Sequence, residues 1–181
     1  MLLDVKKEYN KKMPKKITPQ RLKNIALYYL KRFETSEANL RSVLKRRIDD
    51  YAYFNKEFDR ATAYQWLDEL VNDFIRLGYV NDERYAEIKI RGYLAQGKSP
   101  RYILNKLKEK GIDQDLADNL LNEQEYDDFE SALKLAKKKK IGPFCPDEKL
   151  RRERRNKDMG VLIRAGFDYD VVLKVLDWDE E

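Results

Sequence analysis

Leu70-Val71-Asn72-Asp73-Phe74-Ile75-Arg76-Leu77-Gly78-Tyr79-Val80-Asn81-Asp82-Glu83-Arg84-Tyr85-Ala86 reads as the end of one helix, a corner and the start of another. Gly78 can take the left-handed conformation that closes a helix, and Asn81 or Asp82 can cap the next by accepting from its free N–H groups. Tyr79 and Val80 then form an apolar plug between the two helices. The same device returns as Gly111-Ile112-Asp113 and as Gly166-Phe167-Asp168. Three corners of one kind predict a tandem helical array.

Outward from the first corner the pattern stays helical. Upstream, Ala63, Trp66, Leu67, Leu70, Val71, Phe74 and Leu77 follow the i, i+3, i+4, i+7 spacing of a buried face, with Trp66 as a core residue. Before them, Ala26, Leu27, Leu30 and Phe33 mark a helix from Arg21, and Thr35 or Ser36 caps another carrying Leu40, Val43, Leu44 and Ile48. The aromatic stretch from Asp49 to Asp59 reads as a helix extension or an irregular linker. Downstream, Tyr85, Ile88, Gly92 and Ala95 share a face that Ala86, Ile90, Tyr93 and Leu94 widen, until Gly97 ends the helix. Ser99-Pro100 is a cap followed by proline at the first helical position, where a missing N–H costs nothing.

The caps themselves superpose. Ser36 is followed by Leu40 and Leu44, Ser99 by Ile103 and Leu107, and Asp168 by Val172 and Leu176, in each case apolar residues four and eight later. In the last third, two prolines and a glycine in Ile141-Gly142-Pro143-Phe144-Cys145-Pro146-Asp147 break the helix that carries Phe129, Ala132, Leu133 and Ala136. Another follows with Met159, Leu162 and Ile163. The predicted fold is all-α: an elongated tandem array of three three-helix repeats, about nine helices, with no strand. The boundaries read as a basic flexible arm over 1–20, repeats over 21–78 and 79–124, and a third over 125–181 with a basic run and an acidic end.

The charge is blocked rather than mixed. Residues 1–24 carry eight basic side chains against two acidic, 113–130 carry eight acidic and no basic, and 134–157 carry eleven basic against three acidic. Such blocks mark surfaces for a charged partner, although a merely solvated face has the same composition. The single cysteine, Cys145, cannot form an internal disulfide, and the absence of histidine removes the common zinc sets and the usual base for a serine or cysteine nucleophile. No early apolar run suits a signal peptide and none approaches the ~20 residues of a membrane span. A cytoplasmic protein is expected.

No catalytic constellation stands out. Adjacent carboxylates such as Asp49-Asp50 and Asp127-Asp128 point in different directions on a helix and suit helix starts better than acid–base work. The glycines fall mainly at helix ends rather than in a phosphate loop. A protein without enzymatic activity and without cofactor or metal is expected. What remains are basic helix faces: Arg41, Lys45, Arg46 and Arg47 on the second helix, Arg101, Lys106 and Lys108 on the Ser99 helix, and the two runs within 137–155. Several cations along an array sum to salt-dependent polyanion binding, and Tyr102 beside Arg101 could stack on a base. No element reads a groove, so any DNA contact is independent of sequence.

The run Gly78-Tyr79-Val80-Asn81-Asp82-Glu83-Arg84-Tyr85-Ala86, with Gln96-Gly97-Lys98-Ser99-Pro100-Arg101-Tyr102-Ile103 and Leu107-Lys108-Glu109-Lys110-Gly111-Ile112-Asp113, resembles the RecX regulatory proteins of bacteria. The helix pair at the start and the Arg164-Ala165-Gly166-Phe167 end are similar too, so the resemblance spans about 22–177. It departs from the family's pattern at Arg46-Arg47, in the aromatic stretch to Phe58, and in 137–155. The resemblance implies a regulator of the RecA recombinase in homologous recombination and DNA repair. Such a protein has three tandem three-helix repeats, lies in the groove of the RecA–DNA filament, limits its growth and depresses ATP hydrolysis and strand exchange. Expected partners are the RecA filament and, weakly, single- and double-stranded DNA, met by a monomer. Arg41, Lys45, Arg101, Lys106 and Lys108 are the expected RecA or DNA contacts, and the acidic stretch 113–130 would meet basic protein surface. The alternative is a sequence-independent nucleic-acid-binding helical protein acting through DNA alone.

Overall fold

The structure, a computed structural model, describes residues 14–124 and 126–179. Among the described residues there are nine α-helices and no strand. They are α1 (Pro19–Leu30), α2 (Glu37–Phe54), α3 (Arg60–Arg76), α4 (Asp82–Ala95), α5 (Pro100–Lys108), α6 (Gln114–Asn122), α7 (Asp128–Lys139), α8 (Glu148–Arg164) and α9 (Tyr169–Leu176). A 3-10 turn at Gly142–Phe144 lies between α7 and α8.

The helix starts follow from short polar side chains that satisfy the orphan N–H groups of a first turn. Asn81 accepts from the Arg84 N–H at 2.8 Å, Ser99 from Tyr102 at 3.2 Å, Asp113 from Leu116 at 3.1 Å and Asp59 from Thr62 at 3.1 Å. The ends follow from left-handed residues. At Gly78 (φ +74°) the Tyr79 N–H reaches back to the Phe74 carbonyl at 2.9 Å, and at Gly111 (φ +73°) Ile112 does the same to Leu107 at 3.1 Å. Lys140, at φ 53°, closes α7 in the same way, with the Ile141 N–H on the Ala136 carbonyl at 3.1 Å. It is the one non-glycine residue with positive φ among those described.

The chain divides into two compact units, Met1–Val80 and Asn81–Glu181. In the first, Leu22, Ala26, Leu40, Leu44, Ile48, Ala63, Leu67 and Val71 join α1, α2 and α3 in one buried cluster that Val80 completes. Trp66 packs half-buried against it. The second unit holds two clusters. Tyr85, Ala86, Ile90, Ile103, Leu107 and Leu120 unite α4, α5 and α6; Ala132, Ala136, Leu162, Phe167, Val172 and Leu176 unite α7, α8 and α9. Each fully buried Leu or Ile contributes on the order of 2 kcal/mol of transfer free energy, so these small cores depend on single residues.

Several local expectations differ from the structure, among them Leu77, placed on the buried stripe of α3 but 64% exposed. The first helix starts at Pro19 rather than Arg21, because Thr18 accepts from the Arg21 N–H at 3.2 Å and Pro19 takes the first position; Ile17, assigned to the arm, is buried in the first cluster. The rest of that arm, 1–13, lies outside the described residues. At the Gly78 corner Val80 alone is the plug, while Tyr79 is 53% exposed with its ring edge-on to Phe74 at 5.3 Å. On α4 the buried side is the widened face of Tyr85, Ala86 and Ile90; Ile88 points to solvent. On α1, Leu22 and Ala26 are buried while Leu27 and Phe33 are exposed. The aromatic stretch divides, with α2 running on to Phe54 and a loop bringing Phe58 edge-on to Tyr51 at 4.9 Å.

Candidate binding surface

The α5 helix presents a cationic face in the second unit. Ile103 and Leu107 turn inward, and the 3.6-residue repeat then sends Arg101 and Lys108, seven positions and two turns apart, to the exposed side. Among the described residues neither has a carboxylate partner. Lys106 is bound to Glu109 at 2.8 and 2.9 Å, and that bond holds its pKa above the ordinary lysine value. Tyr102 sits beneath them half-buried, with the Lys98 ammonium 4.9 Å and the Lys106 ammonium 5.8 Å from its ring centre. The edge of Tyr93 meets the same ring at 5.6 Å. Cations held over rings keep their charge in solvent while their stems cover apolar surface.

In the first unit Arg41 is engaged by the fold. Its Nε donates to Glu37 at 2.7 Å, one Nη to Asp68 at 2.5 Å and the other to Asn72 at 3.0 Å, strapping α2 to α3. Lys45, one turn on, lies 5.7 Å from the Tyr64 ring centre. Tyr64 in turn donates to Asp49, which pairs with Arg60 at 2.7 Å. The expected contacts thus fall into two sets: Arg41 and Lys45 on α2, and Arg101, Lys106 and Lys108 on α5.

The basic stretch of 137–155 divides in the same way. Lys137, Lys138, Lys139 and Lys140 are exposed at the end of α7. On α8, however, Arg151 donates to the Leu176 carbonyl at 3.1 Å and Arg155 grips Asp177 at 2.7 and 3.0 Å, so both hold the end of α9. Asp158 is buried at 2% exposure, accepts from the Gly142 N–H at 3.3 Å and lies 3.7 Å from Arg154.

Sequence spacing did not reveal a cleft of about 290 Å³ where α5 meets the third helix group. Lys98, Lys139 and Arg164 line it together with Tyr102, Leu135 and Phe167. The partial signal was the Ser99-Pro100 cap beside a Gly166 corner, but spacing alone could not show that these two meet. The carboxylates singled out earlier serve structure: Asp49 holds Arg60, and Asp127 caps α7 through the Phe129 N–H at 2.7 Å. Among the described residues no three His, Cys, Asp or Glu side chains gather as metal ligands. Among the described residues no helix is long and apolar enough to cross a membrane. The chemistry available to these faces is recognition of anionic surface.

Fold and surface define a class: an all-helical protein of three-helix groups whose helix faces carry aromatic-backed cations. Residues 81–121 match the family model described as RecX, second three-helix domain. Regulatory protein RecX of Myxococcus xanthus is 37% identical over 176 residues, which cover 96% of this chain and 94% of that protein. Regulatory protein RecX of Acinetobacter baylyi is 30% identical over 161 residues, 89% of each. The crystal structure of RecX from Lactobacillus salivarius superposes with a TM-score of 0.64 at 25% identity, covering 88% of this chain and 96% of that one. The chain belongs to the RecX family of regulatory proteins.

Proposed function

We propose that this protein is a non-enzymatic cytoplasmic regulator of recombinational DNA repair that binds the RecA–DNA filament as a monomer and limits its extension, ATP hydrolysis and strand exchange. The observation that carries this reading is family membership over nearly the whole chain, with 96% of it aligned to a regulatory protein. The geometry supports it physically. Arg101 and Lys108 present charge on one side of α5, and α2 adds Lys45 over Tyr64. Contacts spread over tandem helix groups suit a partner that repeats along its length, because each group can meet a successive subunit or stretch of DNA. The acidic residues of 113–130 would face basic protein surface. The mechanism is steric and electrostatic: the bound chain occupies the space that subunit addition and strand exchange require.

The exposed run Lys137 to Lys140 favours one other reading, a sequence-independent nucleic-acid binder acting through DNA alone. Titrating fluorescently labelled protein with RecA filaments assembled on single-stranded DNA, and with the same DNA bare, separates the two. Tighter binding to filaments supports the RecA-directed reading. Equal affinities with the same steep salt dependence would replace it with the DNA binder.

A further inference from the structure

The cleft between α5 and the third helix group has a composition unlike the rest of the cationic surface. Leu135 and the buried Phe167 give it an apolar floor, and Lys98, Lys139 and Arg164 surround that floor without an acidic residue among its lining. At other clefts several cations are paired, Arg60 with Asp49, Arg155 with Asp177 and Arg152 with Glu148, while Lys108 stands as a single cation beside Ile112. Among the described residues, Lys98, Lys139 and Arg164 have no carboxylate partner. Three like charges around apolar surface raise the local potential and repel one another, a cost relieved by an anionic occupant.

From this geometry we infer that the cleft is a docking site for an acidic peptide segment of a partner protein, one apolar side chain of which enters between Leu135 and Phe167 while flanking carboxylates meet Lys98, Lys139 and Arg164. The volume, about 290 Å³, suits a side chain and adjoining backbone rather than a folded surface. Nucleic acid is the weaker fit. Tyr102, the ring on which a base would stack, already carries the Lys98 and Lys106 ammonium groups and the edge of Tyr93. Of the chain's last described residues, Asp177 is paired with Arg155 and Trp178 lies against Phe144 at 5.7 Å. The cleft is held open by its own frame: the Ser99 hydroxyl bonds the Ala165 carbonyl at 2.7 Å at its base. This inference deepens the filament-directed reading by naming a chemistry for the partner contact, and it rests on that reading only for which protein supplies the segment.

The test uses the full chain and a fluorescein-labelled glutamate-rich dodecapeptide with a central Leu-Phe pair, read by anisotropy. The variant Lys98→Gln/Lys139→Gln/Arg164→Gln should bind it at least tenfold more weakly with an unchanged thermal midpoint, and replacing Leu-Phe by Gly-Gly should weaken binding to the native chain several-fold. A labelled single-stranded oligonucleotide should lose much less affinity in the same variant. The inference is overturned by equal peptide binding to variant and native chain, by no binding to the native chain, or by an equal loss for the oligonucleotide. Tighter binding of a peptide copying residues 168–181 would also overturn it, in favour of a second copy of this chain. RecA inhibition that survives loss of peptide binding removes the cleft and leaves the filament-directed reading standing.

Discussion

The Ser99 hydroxyl donates to the carbonyl of Ala165 at 2.7 Å, 66 positions away in sequence, while accepting from the Tyr102 N–H at 3.2 Å. One fully buried oxygen thus caps α5 and clasps the corner between α8 and α9. Gly166 makes room for it: a Cβ there would lie 2.5 Å from the Ser99 oxygen, on backbone at φ +94°. Cap and corner, recognisable separately in the sequence, are one joint in the structure.

Ser99→Ala should lower stability by about 1–3 kcal/mol, since it removes a cap and takes the donor from the partly buried Ala165 carbonyl. Gly166→Ala should cost at least as much, from the positive φ and the collision. Because both act on one contact, the double variant should be less destabilised than the two losses added. Urea unfolding followed by circular dichroism measures this; additive losses would dissolve the joint.

Arg41 and the α5 cations should separate in their effects. Arg41→Gln loosens the α2–α3 strap and should cost about 1 kcal/mol of stability, the scale of a partly exposed multidentate ion pair. Arg101→Glu with Lys108→Glu should leave the thermal midpoint unchanged and weaken filament inhibition about tenfold. Unchanged inhibition by that pair would remove this face of α5 from the interface.

Lys140 closes α7 in the left-handed conformation on an exposed surface. A lysine there bears a backbone cost of about 1–2 kcal/mol that glycine avoids, partly offset by the greater entropy of glycine in the unfolded chain. Lys140→Gly should therefore stabilise by about 0.5–1 kcal/mol. A lower urea midpoint would contradict the assigned closure.

The side-chain bond from Arg155 holds the Asp177 carboxyl below the usual aspartate range. A folded-state pKa below the unfolded one contributes stability that is fully present above the unfolded value, about 3.9, and is lost as pH falls through the folded value. Asp177→Asn should thus be less stable than the native chain at neutral pH, with the difference shrinking below about pH 4. Both pair members are largely exposed, so the difference should be small and should shrink in high salt. A difference independent of pH would sink the assignment.

The helix frame was legible because its signals are local. Gly78, Gly111 and Gly166 announced left-handed closures, and Asn81, Ser99 and Asp113 announced caps, all within a few residues of the helices they bound. Which side of a helix is buried was less legible where apolar residues surround it. On α4 the choice between Ile88 and Ile90 depends on where α5 and α6 pack. Ile17 and Thr18 were hidden by the lysines around them, although Thr18-Pro19 repeats the Ser99-Pro100 signal. The charged surface was legible as composition but not as pairing. Lys106 meets Glu109 three positions away, a contact that spacing allows, whereas Arg41 meets Asp68 across 27 positions and Arg155 meets Asp177 across 22. Only the fold decides which cations remain for a partner.

The most direct measurement is RecA ATP hydrolysis on single-stranded DNA with this protein added well below the RecA concentration. Strong inhibition at that ratio is predicted, because one bound molecule that blocks subunit addition affects many protomers. No inhibition until the DNA is nearly saturated would contradict the account, since that is the behaviour of a protein that only competes for DNA.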